Sequence, residues 1–192
     1  MNNGLICCTL SILAMSFGPS KAETARIWDP SCAPLERAYA MTRSTDFYST
    51  RFYAVKPDGT QELAQETRFA GASYFTRDTA AKPDKWIKLQ RPGWVLWSNG
   101  AAKFSDCEVV EEDVADSKLG RHYTAKWSRH PYSADAEIWL LQDNSRLAKV
   151  LSRDTGKIRL YEFPALLEEF DFNLENAAPP AVYEIAQSED AD

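Results

Sequence analysis

The chain has 192 residues with a formal net charge of −6, and 44% of its residues are hydrophobic. This length and hydrophobic share fit one domain with a packed core. Nucleic-acid binding needs concentrated Lys and Arg to neutralise phosphates, so the balance of 28 Asp and Glu against 22 Lys and Arg argues against a nucleic-acid partner.

The amino-terminal segment has the features of a secretory signal peptide. Residues 4–18 form a mostly apolar run, and the Ser-Lys-Ala sequence that ends at Ala22 fits the small-x-small rule for cleavage after that residue. The alternative is an uncleaved membrane anchor, but the run is shorter than the roughly 20 residues that a spanning helix needs. We therefore predict a signal peptide over residues 1–22, a periplasmic location and no stable membrane span.

Two cysteines, Cys32 and Cys107, remain once the signal peptide is removed. In an exported chain such a pair predicts one disulfide, because the compartment is oxidising. The bridge would span 75 residues of sequence, and in the chain-entropy model it would stabilise the fold by about 4 to 5 kcal/mol. The alternative is a pair of unrelated buried thiols.

One helix is predicted near the start of the mature chain. Pro34 suits a first helical turn. An apolar stripe follows at the i, i+3, i+4, i+7 spacing of a helix face: Leu35, Ala38, Tyr39 and Thr42. Because Cys32 lies at the entrance to this helix, the predicted disulfide would fix the helix to the segment that carries Cys107.

After the helix, short runs rich in β-branched and aromatic residues alternate with turn signals. Pro57-Asp58-Gly59 and Asn99-Gly100 are the clearest turns, because Pro presets φ and Gly accepts a positive φ. About eight to ten strands are predicted. The clearest of them cover residues 47–55, 61–69, 73–77, 86–89, 91–97, 123–127, 138–141, 147–151, 158–163 and 170–174.

The predicted fold is mainly β with one N-terminal helix. Strands follow one another with little helix between them, which favours an antiparallel sheet over a βαβ arrangement. A long, curved antiparallel sheet with the helix on its concave side forms a half-barrel that can enclose an apolar cavity. The domain spans residues 23–180, and the acidic tail over residues 181–192 is expected to be disordered.

The sequence offers no catalytic constellation. It lacks a Gly-x-Ser-x-Gly nucleophile elbow. Its two histidines, His122 and His130, do not combine with Cys107 at a spacing known for zinc. Carboxylate pairs such as Glu168 and Glu169 are expected from composition alone. We therefore expect no enzymatic activity, no catalytic residue, no metal and no cofactor.

Tryptophan is the most informative residue type. Five of the six tryptophans fall in predicted strands: Trp86, Trp94, Trp97, Trp127 and Trp139. Trp combines a large apolar area with one N–H donor, so it lines binding pockets as well as cores. Both interpretations stay open for each of the five.

Several segments resemble those of a known family. Residues 137–140, 145–150 and 156–160 have the pattern of a late hairpin, and Arg91-Pro92-Gly93 followed by Trp97 gives the motif R-P-G-x-x-x-W. With an export signal and a helix ahead of the strands, the mature chain resembles the LolA-like and LppX-like half-barrels, which are periplasmic lipoprotein carriers.

The resemblance implies an envelope protein with a concave apolar pocket that binds a lipid, a lipoprotein acyl chain or another hydrophobic ligand. Its lining would come from the aromatic and aliphatic residues of the predicted strands and from the arginine of the motif: Trp86, Trp94, Trp97, Trp127, Trp139, Tyr123, Ile138, Leu140, Leu160 and Arg91. The alternative function is a non-enzymatic structural or interaction protein of the envelope with a filled core and no ligand.

Overall fold

The computed structural model describes residues 29–79, 81–91, 103–110, 119–129, 132–158 and 163–185. Within these residues the chain forms ten strands and two α-helices, preceded by a 3-10 helix at Pro30–Cys32. The helices are α1 (Ala33–Ser44) and α2 (Leu174–Ala177). The strands are β1 (Phe47–Val55), β2 (Gln61–Ala70), β3 (Ser73–Asp78), β4 (Ile87–Gln90), β5 (Lys103–Val110), β6 (Leu119–Arg129), β7 (Tyr132–Leu141), β8 (Leu147–Asp154), β9 (Ala165–Asp171) and β10 (Glu184–Ile185). The predicted signal peptide lies outside the described residues.

The strands form one curved, open sheet in the order β10-β4-β3-β2-β1-β9-β8-β7-β6-β5. Neighbouring strands are antiparallel except β10, which is parallel to β4. β9 lies between β1 and β8 and joins the early hairpins to the late meander. The predicted class, a mainly β half-barrel with the helix on its concave side, is confirmed.

The turn between β1 and β2 confirms the predicted Pro-Asp-Gly turn. Gly59 has a φ of 84°, and its N–H donates to the carbonyl of Lys56 at 2.9 Å. The carboxylate of Asp58 accepts the N–H of Thr60 at 2.9 Å. Glycine adopts this positive φ without steric cost, and the turn therefore sets the register of the first hairpin.

Helix α1 confirms the predicted apolar stripe. Leu35, Ala38 and Thr42 are its buried residues. The hydroxyl of Thr42 donates to the carbonyl of Ala38 at 2.8 Å and accepts the N–H of Leu147 at 2.8 Å. A threonine inside the stripe therefore joins α1 directly to β8.

The predicted disulfide is also confirmed. Cys32, immediately before α1, is bonded to Cys107 of β5 with an S–S distance of 1.98 Å. The carboxylate of Asp29 accepts the N–H of Asp106 at 2.8 Å, and the hydroxyl oxygen of Ser31 accepts the N–H of Cys107 at 3.2 Å. These contacts fix the start of α1 to the β5 end of the sheet.

The core lies between α1 and the concave face of the sheet. Apolar burial of this kind is the main favourable contribution to folding. The buried residues of this cluster come from α1, from the segment before it and from six strands: Cys32, Leu35, Ala38, Tyr48, Phe104, Cys107, Tyr123, Ala125, Ala136, Ile138, Leu140, Leu147 and Phe170.

Residues 178–185, here called the C-terminal strap, run along the convex side of β3 to the edge of β4. The ring of Tyr183 packs edge-on against Phe75 of β3, with 4.9 Å between centroids, and β10 pairs with β4. The prediction of disorder is therefore wrong for residues 181–185, because ring packing and backbone pairing hold the strap in place. Residues 186–192 lie outside the described residues.

Two predicted strand boundaries are also corrected. The strand predicted to continue to residue 174 ends at Asp171, because the side-chain oxygen of Asn173 accepts the N–H of Glu175 at 3.0 Å and caps α2. The strand predicted over residues 158–163 is not observed at its two described ends, where Ile158 and Phe163 lie in bends.

Candidate functional site

The concave face of β1, β2 and β3 is organised in rows, because residues paired across antiparallel strands share one face of the sheet. One row is aromatic: Tyr48, Phe69 and Tyr74. The next row, two residues along each strand, consists of threonines: Thr50, Thr67 and Thr76. An aromatic row and a threonine row therefore lie side by side.

The rings of the aromatic row form a continuous wall. Those of Tyr48 and Phe69 stack with 4.3 Å between centroids and 12° between planes, and Tyr74 follows at 5.8 Å from Phe69. The ring of Phe172, just after β9, lies 5.9 Å from Tyr48 and extends the wall. Such a wall offers flat apolar area to a ligand as well as to a core.

The threonine row contains one unpaired hydroxyl. The side-chain amide of Gln65 donates to Thr76 at 2.9 Å and to Thr67 at 3.2 Å, and these two hydroxyls are themselves 3.2 Å apart. Thr50 is 1% exposed, and its hydroxyl oxygen is buried without a hydrogen-bond partner. An unpaired buried polar group costs about 1 to 3 kcal/mol, so a ligand that bonds this hydroxyl would recover that free energy.

A buried ion pair lies on the same face. Arg43, in the last turn of α1, approaches Glu168 of β9 with 3.5 Å between Nη2 and Oε1, and the two side chains are only 14% and 13% exposed. Nη1 of Arg43 also donates to the hydroxyl of Tyr48 at 3.2 Å. We call the set Arg43, Tyr48, Thr50 and Glu168 the polar centre.

Burial and charge act in opposite directions on the pKa values of this pair. Burial raises the pKa of the Glu168 carboxyl, and the positive charge of Arg43 limits that rise. Burial alone would lower the pKa of Arg43, but the carboxylate of Glu168 and the phenols of Tyr39 and Tyr48 hold it above its ordinary value. Arg43 is therefore charged at neutral pH, and its carboxyl partner on this face is Glu168.

Helix α1 covers the two halves of the concave face unequally. Its start is bonded to β5, the ring of Tyr39 meets Phe104 of β5 with 6.0 Å between centroids, and Thr42 bonds to β8. Its last turn reaches β9 and β1 through Arg43. On β1 to β4 Tyr48 is buried, and the other large apolar side chains of this face are half-buried: Phe52, Phe69, Tyr74, Ile87 and Leu89. The face therefore combines a packed region under α1 with an apolar region beside the polar centre.

Arg91, expected from the R-P-G motif to line the pocket, secures the end of α1. Its guanidinium donates to the carbonyl of Thr45 at 3.0 Å and to that of Arg43. It also lies 5.2 Å from the centroid of the Phe69 ring. A cation is stabilised at the carboxyl end of a helix by the helix dipole, so Arg91 holds the last turn of α1 against the aromatic row.

Four of the expected lining residues lie on the concave side in or beside the packed region. Tyr123, Ile138 and Leu140 are 2%, 0% and 1% exposed and belong to the cluster under α1. Trp127 is half-buried and packs against the same cluster. The first three contribute to the core rather than to an open pocket wall, because α1 covers them.

Two of the expected lining residues lie on the convex face, which corrects the prediction. Alternation along β7 turns Trp139 outward, where it stacks on His122 with 4.2 Å between ring centroids. Trp86 is buried on the convex side, with the guanidinium carbons of Arg68 and Arg77 at 4.7 and 4.8 Å from its ring centroid. Three further expected residues lie outside the described part of the chain: Trp94, Trp97 and Leu160.

The sequence reasoning did not identify the polar centre. Arg43 and Glu168 are 125 residues apart in sequence, and no local pattern indicates their pairing. Thr50 carried a weak signal, since a residue two positions after Tyr48 in a predicted strand shares its face.

A shallow cleft of about 350 Å³ lies on the convex side, between the connection from β3 to β4 and the C-terminal strap. Trp86 and Tyr183 contribute to its lining, and the ammonium of Lys85 pairs with the carboxylate of Glu184 at 2.5 Å across it. We assign this cleft to the seating of the strap, because the ion pair of Lys85 and Glu184 already bridges its two sides.

Among the described residues, no group of three or more His, Cys, Asp or Glu side chains could hold a metal ion. The helices of the described ranges are all too short or too polar to cross a membrane. A scan against protein-family models and a search of curated proteins found no match to the chain.

Proposed function

We propose that the protein is an exported, periplasmic carrier or binding protein for a lipid, a lipoprotein acyl chain or another hydrophobic ligand. The ligand lies on the concave face along β1 to β4. The observation that carries this proposal is the aromatic wall, in which Phe69 and Tyr74 are only half-buried, next to the unpaired hydroxyl of Thr50. Ligand sites are mostly apolar and contain a few polar groups that fix the orientation of the ligand.

The half-buried rings of Phe52, Phe69 and Tyr74 suit an acyl chain. Each CH₂ group removed from water contributes about 0.8 kcal/mol. Ten such groups would contribute on the order of 8 kcal/mol before the loss of translational and rotational freedom is subtracted. An aqueous periplasm needs such a shelter if an acyl chain is to cross it.

The periplasmic location is supported by two features of the chain. One is the apolar amino-terminal run that ends at a small-x-small site. The other is the disulfide between Cys32 and Cys107, a bond that persists in oxidising compartments. Both are expected of a chain that leaves the cytoplasm.

Native mass spectrometry of the exported chain tests the proposal, with dipalmitoylglycerol and methyl palmitate, two lipids without net charge, as probes. Thr76→Trp adds bulk to the threonine row, whereas Thr124→Trp adds the same bulk to an exposed position on the convex face. We expect lipid adducts with the wild type and with Thr124→Trp, and binding weaker by about tenfold or more for Thr76→Trp.

The mass of the protein also shows where the mature chain begins, and we expect a chain that begins at Glu23. As a control for folding, we expect equal circular dichroism spectra for the two variants. A bare protein mass for the wild type at every lipid concentration would contradict the proposed function.

A second candidate is a structural or interaction protein of the envelope without a ligand. The packing under α1 favours it, because Ile138 and Leu140 are 0% and 1% exposed and leave no open wall there. The exposed side chains of Val182 and Ile185 on the strap, 81% and 74% exposed, offer apolar surface to a protein partner. A bare mass together with an unchanged melting temperature in the presence of lipid would favour this candidate.

A further inference from the structure

We infer that the concave site selects hydrophobic ligands whose polar head carries no net charge. The inference rests on the proposed function, since it concerns the ligand of the same site. It starts from the ion pair of the polar centre, in which Arg43 and Glu168 are 3.5 Å apart and largely withdrawn from water. The charge of Arg43 is therefore already balanced by the protein.

Other charged groups on this face do not change that balance. Arg91 is bound to carbonyl oxygens at the end of α1, whose partial negative charge it offsets. Asp78 and Asp154 lie at positions of the same face, opposite Gln65 and Ala134. Arg146 lies 4.0 Å from the ring centroid of Phe172 at the edge of the aromatic wall. Three guanidinium groups thus lie on this face with three carboxyl groups, those of Glu168, Asp78 and Asp154, and the face has no excess positive charge to hold an anion.

A charged head group would have to break the pair. An anion that binds Arg43 must displace Glu168 and leave that carboxylate buried beside a like charge. A cation that binds Glu168 must displace Arg43 and leave that guanidinium buried beside a like charge. An uncharged hydroxyl or ester oxygen can instead bond the hydroxyl of Thr50, which has no other partner, and leave the pair intact.

Three ligands with one ten-carbon chain separate these cases: 1-decanol, decyl sulfate and decyltrimethylammonium. Their binding to the exported full chain is measured at neutral pH, below their micelle concentrations, by displacement of a fluorescent apolar probe. We expect 1-decanol to bind about tenfold or more tightly than either charged homologue. Equal affinities for the three, or a preference for either ion, would overturn the inference.

Glu168→Gln removes the counter-charge, so it is expected to raise the affinity for decyl sulfate by about tenfold and to bring it close to the affinity for 1-decanol. The matched control is Glu169→Gln, because Glu169 is the next residue of β9 and faces the convex side opposite Arg51 and Lys149. It should leave the order of the three ligands unchanged.

Thr50→Val keeps the size of the side chain and removes its hydroxyl, and we expect it to lower the preference for 1-decanol by about threefold to tenfold. If Glu168→Gln does not fold, the order of the three ligand affinities for the wild type and the effect of Thr50→Val still test the inference. Failure of the apolar probe itself to bind would overturn the proposed function, and the selectivity inference with it. Probe binding without selectivity would overturn the selectivity inference alone.

Discussion

Arg43 and Glu168 place two charges in a largely apolar setting. Transfer of such a pair from water to the interior costs free energy that its mutual attraction often does not restore, and apolar replacements of similar volume are often neutral or stabilising. The guanidinium carbon of Arg43 lies 5.7 Å from the ring centroid of Phe170, so apolar side chains could fill this position. A contribution to stability alone therefore does not explain the pair, whereas the proposed role in ligand choice would explain it.

We predict that Arg43→Met lowers the free energy of unfolding by about 3 to 5 kcal/mol, because Glu168 is left buried without its counter-charge. The double variant Arg43→Met, Glu168→Leu should return to within about 1 kcal/mol of the wild type or exceed it. Urea denaturation measures both values. A double variant as unstable as Arg43→Met alone would show that the pair itself stabilises the fold.

At the scale of single residues, only contacts with a limited set of partners could be predicted. Cys32 and Cys107 are the two cysteines that remain outside the predicted signal peptide, so their bond could be predicted from composition and the predicted compartment. Glu168 is one of 28 acidic residues, and its partner is decided by the sheet order rather than by any local pattern. The unpaired hydroxyl of Thr50 likewise depends on what packs around it.

At the scale of elements, α1 is held at three points along its length. The disulfide holds its start, the hydroxyl of Thr42 bonds the N–H of Leu147 near its end, and Arg91 bonds the last carbonyls. The apolar stripe of α1 follows the helical period, so it could be predicted. The contact of Arg91 could not, because the sequence motif of Arg91 indicated a lining residue and gave no sign of a helix cap.

Loss of the disulfide is expected to release the start of α1 from β5. Cys32→Ser together with Cys107→Ser should lower the free energy of unfolding by about 2 to 5 kcal/mol, since the chain then gains entropy when it unfolds. Urea denaturation of the wild type with and without a reductant, beside the double variant, measures this change. A reductant should have no effect on the double variant, and equal stability of all samples would contradict the prediction.

The positions of most strands could be predicted from the sequence, but their registers and boundaries could not. Alternation and turn residues located most of the strands, but a bulge beside Phe52 and Tyr53 shifts the register so that Leu63 pairs with Tyr53. Such a shift moves side chains to the other face. The cap at Asn173 and the parallel pairing of β10 depend on single contacts that periodicity does not contain.

At the scale of the whole molecule, the curvature of the sheet and the position of α1 produce two distinct halves. The half under α1 is filled by side chains, and the half along β1 to β4 combines an aromatic wall with the polar centre. Sequence order predicted the antiparallel class but not the insertion of β9 between β1 and β8. That insertion brings Glu168 to Arg43, so the candidate site is a product of topology.

Photo-crosslinking with a palmitoyl chain that carries a diazirine tests whether a ligand binds on this sheet, with peptide mass spectrometry of the purified protein as the readout. We predict adducts on concave side chains of β1 to β3, at Phe52, Phe69 and Tyr74, that excess methyl palmitate suppresses. Adducts confined to convex residues such as Trp139, or a complete lack of adducts that methyl palmitate suppresses, would contradict a ligand site on the concave face.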